Sequence, residues 1–159
     1  DSAGGNFAAA VSLMARDRGE FRPGRQILIY PALDSRHSGD SPYPSVRENG
    51  TGYLLTAKRV RDYMALYRSS DEDLTNPYFA PLRASSLANQ PDTLLITAEY
   101  CPLRDEGEAY GRRLREEGGF VEIHRLPDAL HGYFSLPVRF SLVKQTYGIM
   151  NRFLERRHE

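Results

Sequence analysis

Asp1-Ser2-Ala3-Gly4-Gly5-Asn6-Phe7-Ala8-Ala9-Ala10-Val11 opens the chain with a serine among small residues and a helical pattern directly behind it. Phe7, Ala10, Val11 and Met14 recur at helical spacing, and the pattern ends in charge and glycine near 16–19. Ser2 then has two readings. One is an N-cap on an alanine-rich helix. The other is a tight strand-to-helix turn, whose small neighbours leave the hydroxyl exposed and whose helix N-terminus aims N–H groups at developing negative charge. The second reading requires a parallel sheet around the serine and a base to activate it, so the rest of the chain decides.

Working outward, Gln26-Ile27-Leu28-Ile29-Tyr30 is a short apolar run between Pro23-Gly24 and Pro31, which predicts a buried parallel strand. Residues 34–52 are rich in Ser, Pro, Gly and Asn and read as a long loop. Thr56 caps a predicted helix with Val60, Tyr63, Met64 and Tyr67 on one face, and residues 69–81 read as another loop. Thr93-Leu94-Leu95-Ile96-Thr97-Ala98 predicts a second strand. A helix follows from about Leu103, stopped by Gly118-Gly119. Residues 120–126 predict a third, more polar strand, 127–132 a loop, and 140–156 a last helix. Alternating helix and strand implies an α/β fold, with parallel strands flanked by helices.

Composition narrows the function classes. The 159 residues are 40% hydrophobic and 26% charged, as expected of one globular domain. Lys+Arg and Asp+Glu number 21 each, so bulk charge gives no argument for nucleic acid or an anionic membrane as partner. One cysteine, Cys101, allows no intrachain disulfide and no cysteine-based zinc site. No apolar run is long enough to span a bilayer. A cytoplasmic location is the default expectation, with a signal peptide left open because the chain begins on aspartate.

In an open parallel sheet, ligands bind beyond the carboxyl ends of the strands. Three predicted segments leave those ends: 31–55, 99–103 and 127–133. The last contains His131, followed by Gly132, Tyr133 and Phe134. Alone, His131 would be read as an ordinary core or surface histidine; with Ser2 at the same end of the sheet it becomes a candidate general base. Serine first and histidine last matches the chain order of one hydrolase class.

The blocks Asp1-Ser2-Ala3-Gly4-Gly5-Asn6, Leu28-Ile29-Tyr30-Pro31, Asn76-Pro77-Tyr78, Leu95-Ile96-Thr97-Ala98-Glu99-Tyr100, Pro102-Leu103-Arg104-Asp105-Glu106-Gly107 and His131-Gly132-Tyr133 occur in that order. Together they resemble the bacterial hormone-sensitive-lipase family of α/β-hydrolases, over essentially the whole chain. The resemblance implies a serine carboxylesterase acting on small acyl esters without metal or organic cofactor. It assigns Ser2 as nucleophile, His131 as general base and the Ala3 N–H as an oxyanion donor. Residues 1–159 would form a partial catalytic domain, the C-terminal part of the α/β-hydrolase fold. Residues 34–80 would supply loop and helix on the substrate side.

Two departures qualify that expectation. Where the family keeps the triad acid, this chain has Cys101, mostly neutral at pH 7 near its ordinary pKa of about 8.5. Losing a triad aspartate costs about 10⁴ in serine-protease turnover. Asp105 and Asp128 are substitute candidates, although Asp105 and Glu106 also fit the N-terminus of the next helix as dipole-complementing charges. The alternative to an impaired esterase is therefore a non-catalytic ligand-binding protein. The second departure is that the family's upstream oxyanion loop and its earlier strands are not in the sequence. The expectation is a missing N-terminal segment or a homo-oligomer formed through the edge of the strand at Gln26-Ile27-Leu28-Ile29-Tyr30. One oxyanion donor is worth ~10²–10³ in turnover.

The other residues have blander expectations. Tyr43, Tyr53 and Tyr78 line an acyl pocket or pack locally. His124 is solvated, and His37 and His158 fall in a loop and a tail. The arginines at 152, 156 and 157 complement a helix end. Asp71-Glu72-Asp73 lacks calcium-loop spacing.

Overall fold

The structure is a computed structural model that describes residues 1–156. Arg157 and His158 lie outside the described residues. Three parallel strands, β1 (Arg25–Ile29), β2 (Asp92–Tyr100) and β3 (Val121–Leu130), form a sheet in the order β1-β2-β3. The central strand, β2, is buried at Thr93 through Ala98, as a run covered on both faces must be. Helices α1 (Ser2–Arg18) and α4 (Arg104–Glu116) cover one face, where Ala9, Leu13, Tyr110 and Leu114 join Leu28, Leu95 and Val121 in one core. Helix α5 (Ser141–Glu155) covers the other, placing Val143, Ile149 and Phe153 with Ile29, Leu94 and Ile96. Two glycines permit the close approach of the first layer. A Cβ on Gly111 would meet Ile123 Cδ1 at 2.8 Å, and one on Gly5 would meet Pro31 Cβ at 2.8 Å.

The strands and long helices of the sequence reading are present, and three stretches differ from it. Residues 34–52 contain α2 (Pro44–Glu48), a short helix begun by a proline whose missing N–H costs nothing there. Residues 69–81 wind into 3-10 turns at Asp71–Thr75 and Pro81–Arg83, the first held by a capping box between Ser70 and Asp73. Third, β3 continues through the predicted loop to Leu130, pairing with Tyr100 after an irregularity. Pro127 is tolerated because β3 is an outer strand of this sheet.

The segment after β1 is anchored by a buried acid. Glu106 Oε1 accepts the Leu33 N–H (2.6 Å) and Asp34 N–H (3.2 Å), and its Oε2 pairs with His37 Nε2 at 2.5 Å. Glu106 lies in the first turn of α4 and His37 in the loop after β1, as read from the sequence, but both are buried, which those readings did not foresee. Helix α3 (Ala57–Tyr67) begins as expected, with Thr56 Oγ1 accepting the Arg59 N–H. Only Ala57 and Val60 of α3 are fully buried, while Tyr63 and Tyr67 are more than half exposed.

Candidate active site

Ser2, Cys101 and His131 come from three separate elements and meet beyond the carboxyl ends of the strands. Ser2 begins α1 with φ of +47°, a left-handed value that is uncommon outside glycine and held here by its surroundings. Its carbonyl accepts the Ala32 N–H. Cys101 directly follows β2, and its carbonyl accepts from the Arg104 N–H and from Asn49 Nδ2. His131 directly follows β3, where Gly132 (φ +86°) turns the chain sharply. Ser2 Oγ lies 2.9 Å from His131 Nε2, and Cys101 Sγ lies 3.2 Å from His131 Nδ1.

Both partners are neutral at pH 7. Burial pushes the Cys101 thiol up to about 12, and the Leu103 N–H donating to Sγ at 3.4 Å does not reverse this. Burial also lowers the His131 pKa to about 4, because no anion stands beside the ring to stabilise its charged form. The substitute acids do not reach it. Asp105 accepts from the Ser45 N–H (2.7 Å) and Arg104 Nε (2.8 Å), and Asp128 is exposed on β3 with its N–H donating to Glu99. Chain proximity suggested both; the strand geometry directs them elsewhere. Among the described residues, no group of three or more His, Cys, Asp or Glu is arranged to hold a metal.

Ser2, Ala3 and His131 lie in the wall of a cavity of about 570 Å³. Helix α3 supplies much of the opposite wall through Val60, Tyr63, Met64 and Tyr67. Tyr43, Tyr53 and Tyr78 do not line it. Tyr43 hydrogen-bonds Asp34, Tyr53 stacks on Tyr100 at 5.1 Å, and Tyr78 donates to Asp17. The sequence reading missed Asn6. This buried residue donates from Nδ2 to Ala32 O (2.8 Å) and Phe79 O (2.9 Å), fixing the start of α1 to two loops. A lone amide in an otherwise small and apolar helical stretch was its signal.

Comparison with known proteins agrees with this fold. A family model described as the alpha/beta hydrolase fold matches residues 1–135. An arylesterase of Saccharolobus solfataricus is 38% identical over 137 residues, covering 86% of this chain and 43% of that enzyme. The carboxylic ester hydrolase LipN of Mycobacterium tuberculosis is 37% identical over 141 residues, covering 86% of this chain and 36% of that enzyme. Among solved structures, an esterase of Rhizomucor miehei superposes with a TM-score of 0.89 at 34% identity, covering 98% of this chain and 47% of that one. The chain thus spans less than half the length of these relatives. With the serine turn, parallel sheet and histidine turn in place, the chain belongs to the α/β-hydrolase fold family, in its hormone-sensitive-lipase branch.

Proposed function

We propose that this chain carries the reactive centre of a serine carboxylesterase for small acyl esters. The observation that carries the proposal is the 2.9 Å contact of Ser2 Oγ with His131 Nε2 in the wall of a mainly apolar cavity. Ser2 Oγ forms a bond to the ester carbonyl carbon as its proton passes to His131 Nε2. The resulting oxyanion takes a hydrogen bond from the Ala3 N–H, a first-turn amide of α1 without an acceptor inside the helix. The bond to the leaving alkoxide breaks as His131 returns the proton to it, leaving an acyl-enzyme. Water repeats the sequence, releasing the acid and regenerating Ser2. Residues 34–80 bring α3 against the acyl chain, and an additional strand pairs with the outer edge of β1.

Cys101 makes this a weak esterase. A base at Nε2 requires the imidazole proton on Nδ1, where a carboxylate would accept it. A thiol held at S–H, with the Leu103 N–H already donating to its sulfur, instead donates to Nδ1. That favours the Nε2–H tautomer, which cannot take the serine's proton. The same wrong-tautomer defect costs about 10⁴ when a triad aspartate becomes asparagine. This contact also favours the second reading, a ligand-binding protein that keeps the cavity without turnover.

A fluorophosphonate probe separates the two. The esterase reading expects slow labelling that maps to Ser2, disappears in Ser2→Ala and falls at least about 10-fold in His131→Gln. Absence of labelling in the unaltered chain, or labelling that survives Ser2→Ala, leaves the binding reading.

A further inference from the structure

We propose that Tyr30 is a positioning residue for His131, holding the imidazole against Ser2 in a site where the acid position carries no charge. This rests on reading Ser2 and His131 as nucleophile and base. Tyr30 directly follows β1 and remains tied to the sheet by its N–H, which donates to Ile96 O at 2.7 Å. Its φ is +37°, a left-handed value that a bulky residue ahead of a proline adopts only when its surroundings impose it. The side chain is 1% exposed and takes no part in lining the cavity, so it does not touch substrate.

Its contacts converge on the reactive pair. The phenol donates to Oδ2 of Asp1, the residue before the nucleophile, at 3.1 Å. The backbone N–H of Phe134, three residues after the histidine, acts on the same oxygen electrostatically, opposing the rise that burial imposes on the phenol's pKa. The ring lies 4.6 Å from the His131 ring, tilted by 54°, and meets Tyr133 edge-on at 5.5 Å. One side chain therefore spans the serine turn and the histidine turn while covering one side of the imidazole. Ring–ring contacts at these separations favour definite orientations.

That brace matters because His131 has little else to orient it. Rotation about the second side-chain torsion of histidine is only broadly restricted, and a charged carboxylate at Nδ1 would normally fix the ring through a strong hydrogen bond. Here Nδ1 has only the weak thiol contact at 3.2 Å. Orientation then falls to packing, and misplacement of a catalytic group by about 1 Å can cost ~10² in rate.

Tyr30→Phe deletes the hydroxyl contacts while keeping the ring, and Tyr30→Leu deletes both. Each is made in the native sequence and in a Cys101→Asp background. Measured quantities are kcat and KM for p-nitrophenyl acetate, the fluorophosphonate labelling rate and the ring ¹⁵N resonances of His131. In the native background, Tyr30→Phe should lower kcat and the labelling rate about 10-fold, leave KM within about twofold and shift or broaden the His131 resonances. With aspartate at 101 the loss should shrink below about threefold, because the carboxylate then fixes the ring. A tyrosine that merely packs would cost the same factor in both backgrounds; that result, a change confined to KM, or unaltered His131 resonances overturns the proposal. If Tyr30→Leu does not fold, Tyr30→Phe decides. If Ser2 is not labelled even in the native chain, it is the esterase reading that fails, and the His131 resonances in Tyr30→Phe decide the role of Tyr30.

Discussion

Cys101 and His131 together set the chemistry available at the site, and their effects oppose each other across pH. With its pKa lowered to about 4 by burial, His131 stays neutral through the mildly acidic range. The acid limb of kcat/KM should therefore fall near pH 4, unusually low for a histidine base, with a small plateau value because no carboxylate holds the imidazole proton on Nδ1. Cys101→Asp places an anion beside Nδ1. The charged imidazole is then stabilised, so the limb moves up by at least one pH unit while the plateau rises by about 10²–10³. A pH–rate profile of both forms checks this, and an unmoved limb would show that residue 101 does not govern the base. The acid's replacement was legible from the motif block around Pro102-Leu103-Arg104. That the thiol is mostly neutral at pH 7 was legible as well, but the rise of its pKa to about 12 was not, because it depends on burial that only the assembled strands create. Asp105 and Asp128 were plausible for the opposite reason, since chain distance is readable and side-chain direction is not.

Elements with strong periodicity were legible: α4 and α5 from their apolar faces, β1 and β2 from short apolar runs, and α3 from its Thr56 cap. The face read for α1 was not the one that packs, since Phe7 and Val11 are about half exposed while Ala9 and Leu13 are buried. Turns that depend on tertiary support were not legible. The continuation of β3 past Pro127 needs Tyr100 opposite Leu130, and α2 has too few residues to show a period. The contact of α1 with the segment after β1 also leaves no periodic trace, yet it places Ser2. A Cβ at Gly5 would lie 2.8 Å from Pro31 Cβ and 3.2 Å from Pro31 Cα, a rigid ring and a backbone atom. Gly5→Ala should cost about 1–3 kcal/mol. It should also reduce Ser2 labelling, because Pro31 follows Tyr30. Gly4→Ala meets nothing within 4 Å and should stabilise the helix by about 0.5–1 kcal/mol. Urea denaturation of the two variants tests the contrast, and equal midpoints would mean that α1 has room to shift on the sheet. Removing the cap by Thr56→Ala should cost about 1 kcal/mol. That variant should also alter the cavity wall, measurable as a change in KM with kcat nearly constant.

For the molecule as a whole, two histidines with opposite shifts, His131 partly buried and His37 fully buried, give stability an optimum in pH. Formal charge balances at 21 cationic and 21 acidic side chains, so net self-repulsion near pH 7 is small and site-specific protonation dominates. Burial holds the His131 pKa near 4, below its unfolded value of about 6.5. Between those values the unfolded chain binds the extra proton, so stability falls as pH drops from about 6.5 toward 4, by on the order of 3 kcal/mol. His37 behaves in reverse. Burial opposes its charge, but the Glu106 carboxylate, its hydrogen bond and the Asp34 charge outweigh that and raise the pKa. Its contribution is fully present below about pH 6.5 and is lost as pH rises through the raised folded value. Asp34 adds an acid boundary at lower pH. Burial opposes its ionisation, but Arg36, Tyr43 and the Ser35 N–H lower its pKa, so its contribution is lost only below about 3.8. Urea midpoints between pH 4 and 9 should therefore peak near 6.5. His131→Gln should flatten the acid side alone and His37→Gln the alkaline side alone, because each removes one proton-binding difference. An alkaline decline that persists unchanged in His37→Gln would mean that the His37–Glu106 pair, although buried, does not carry a proton in the folded chain.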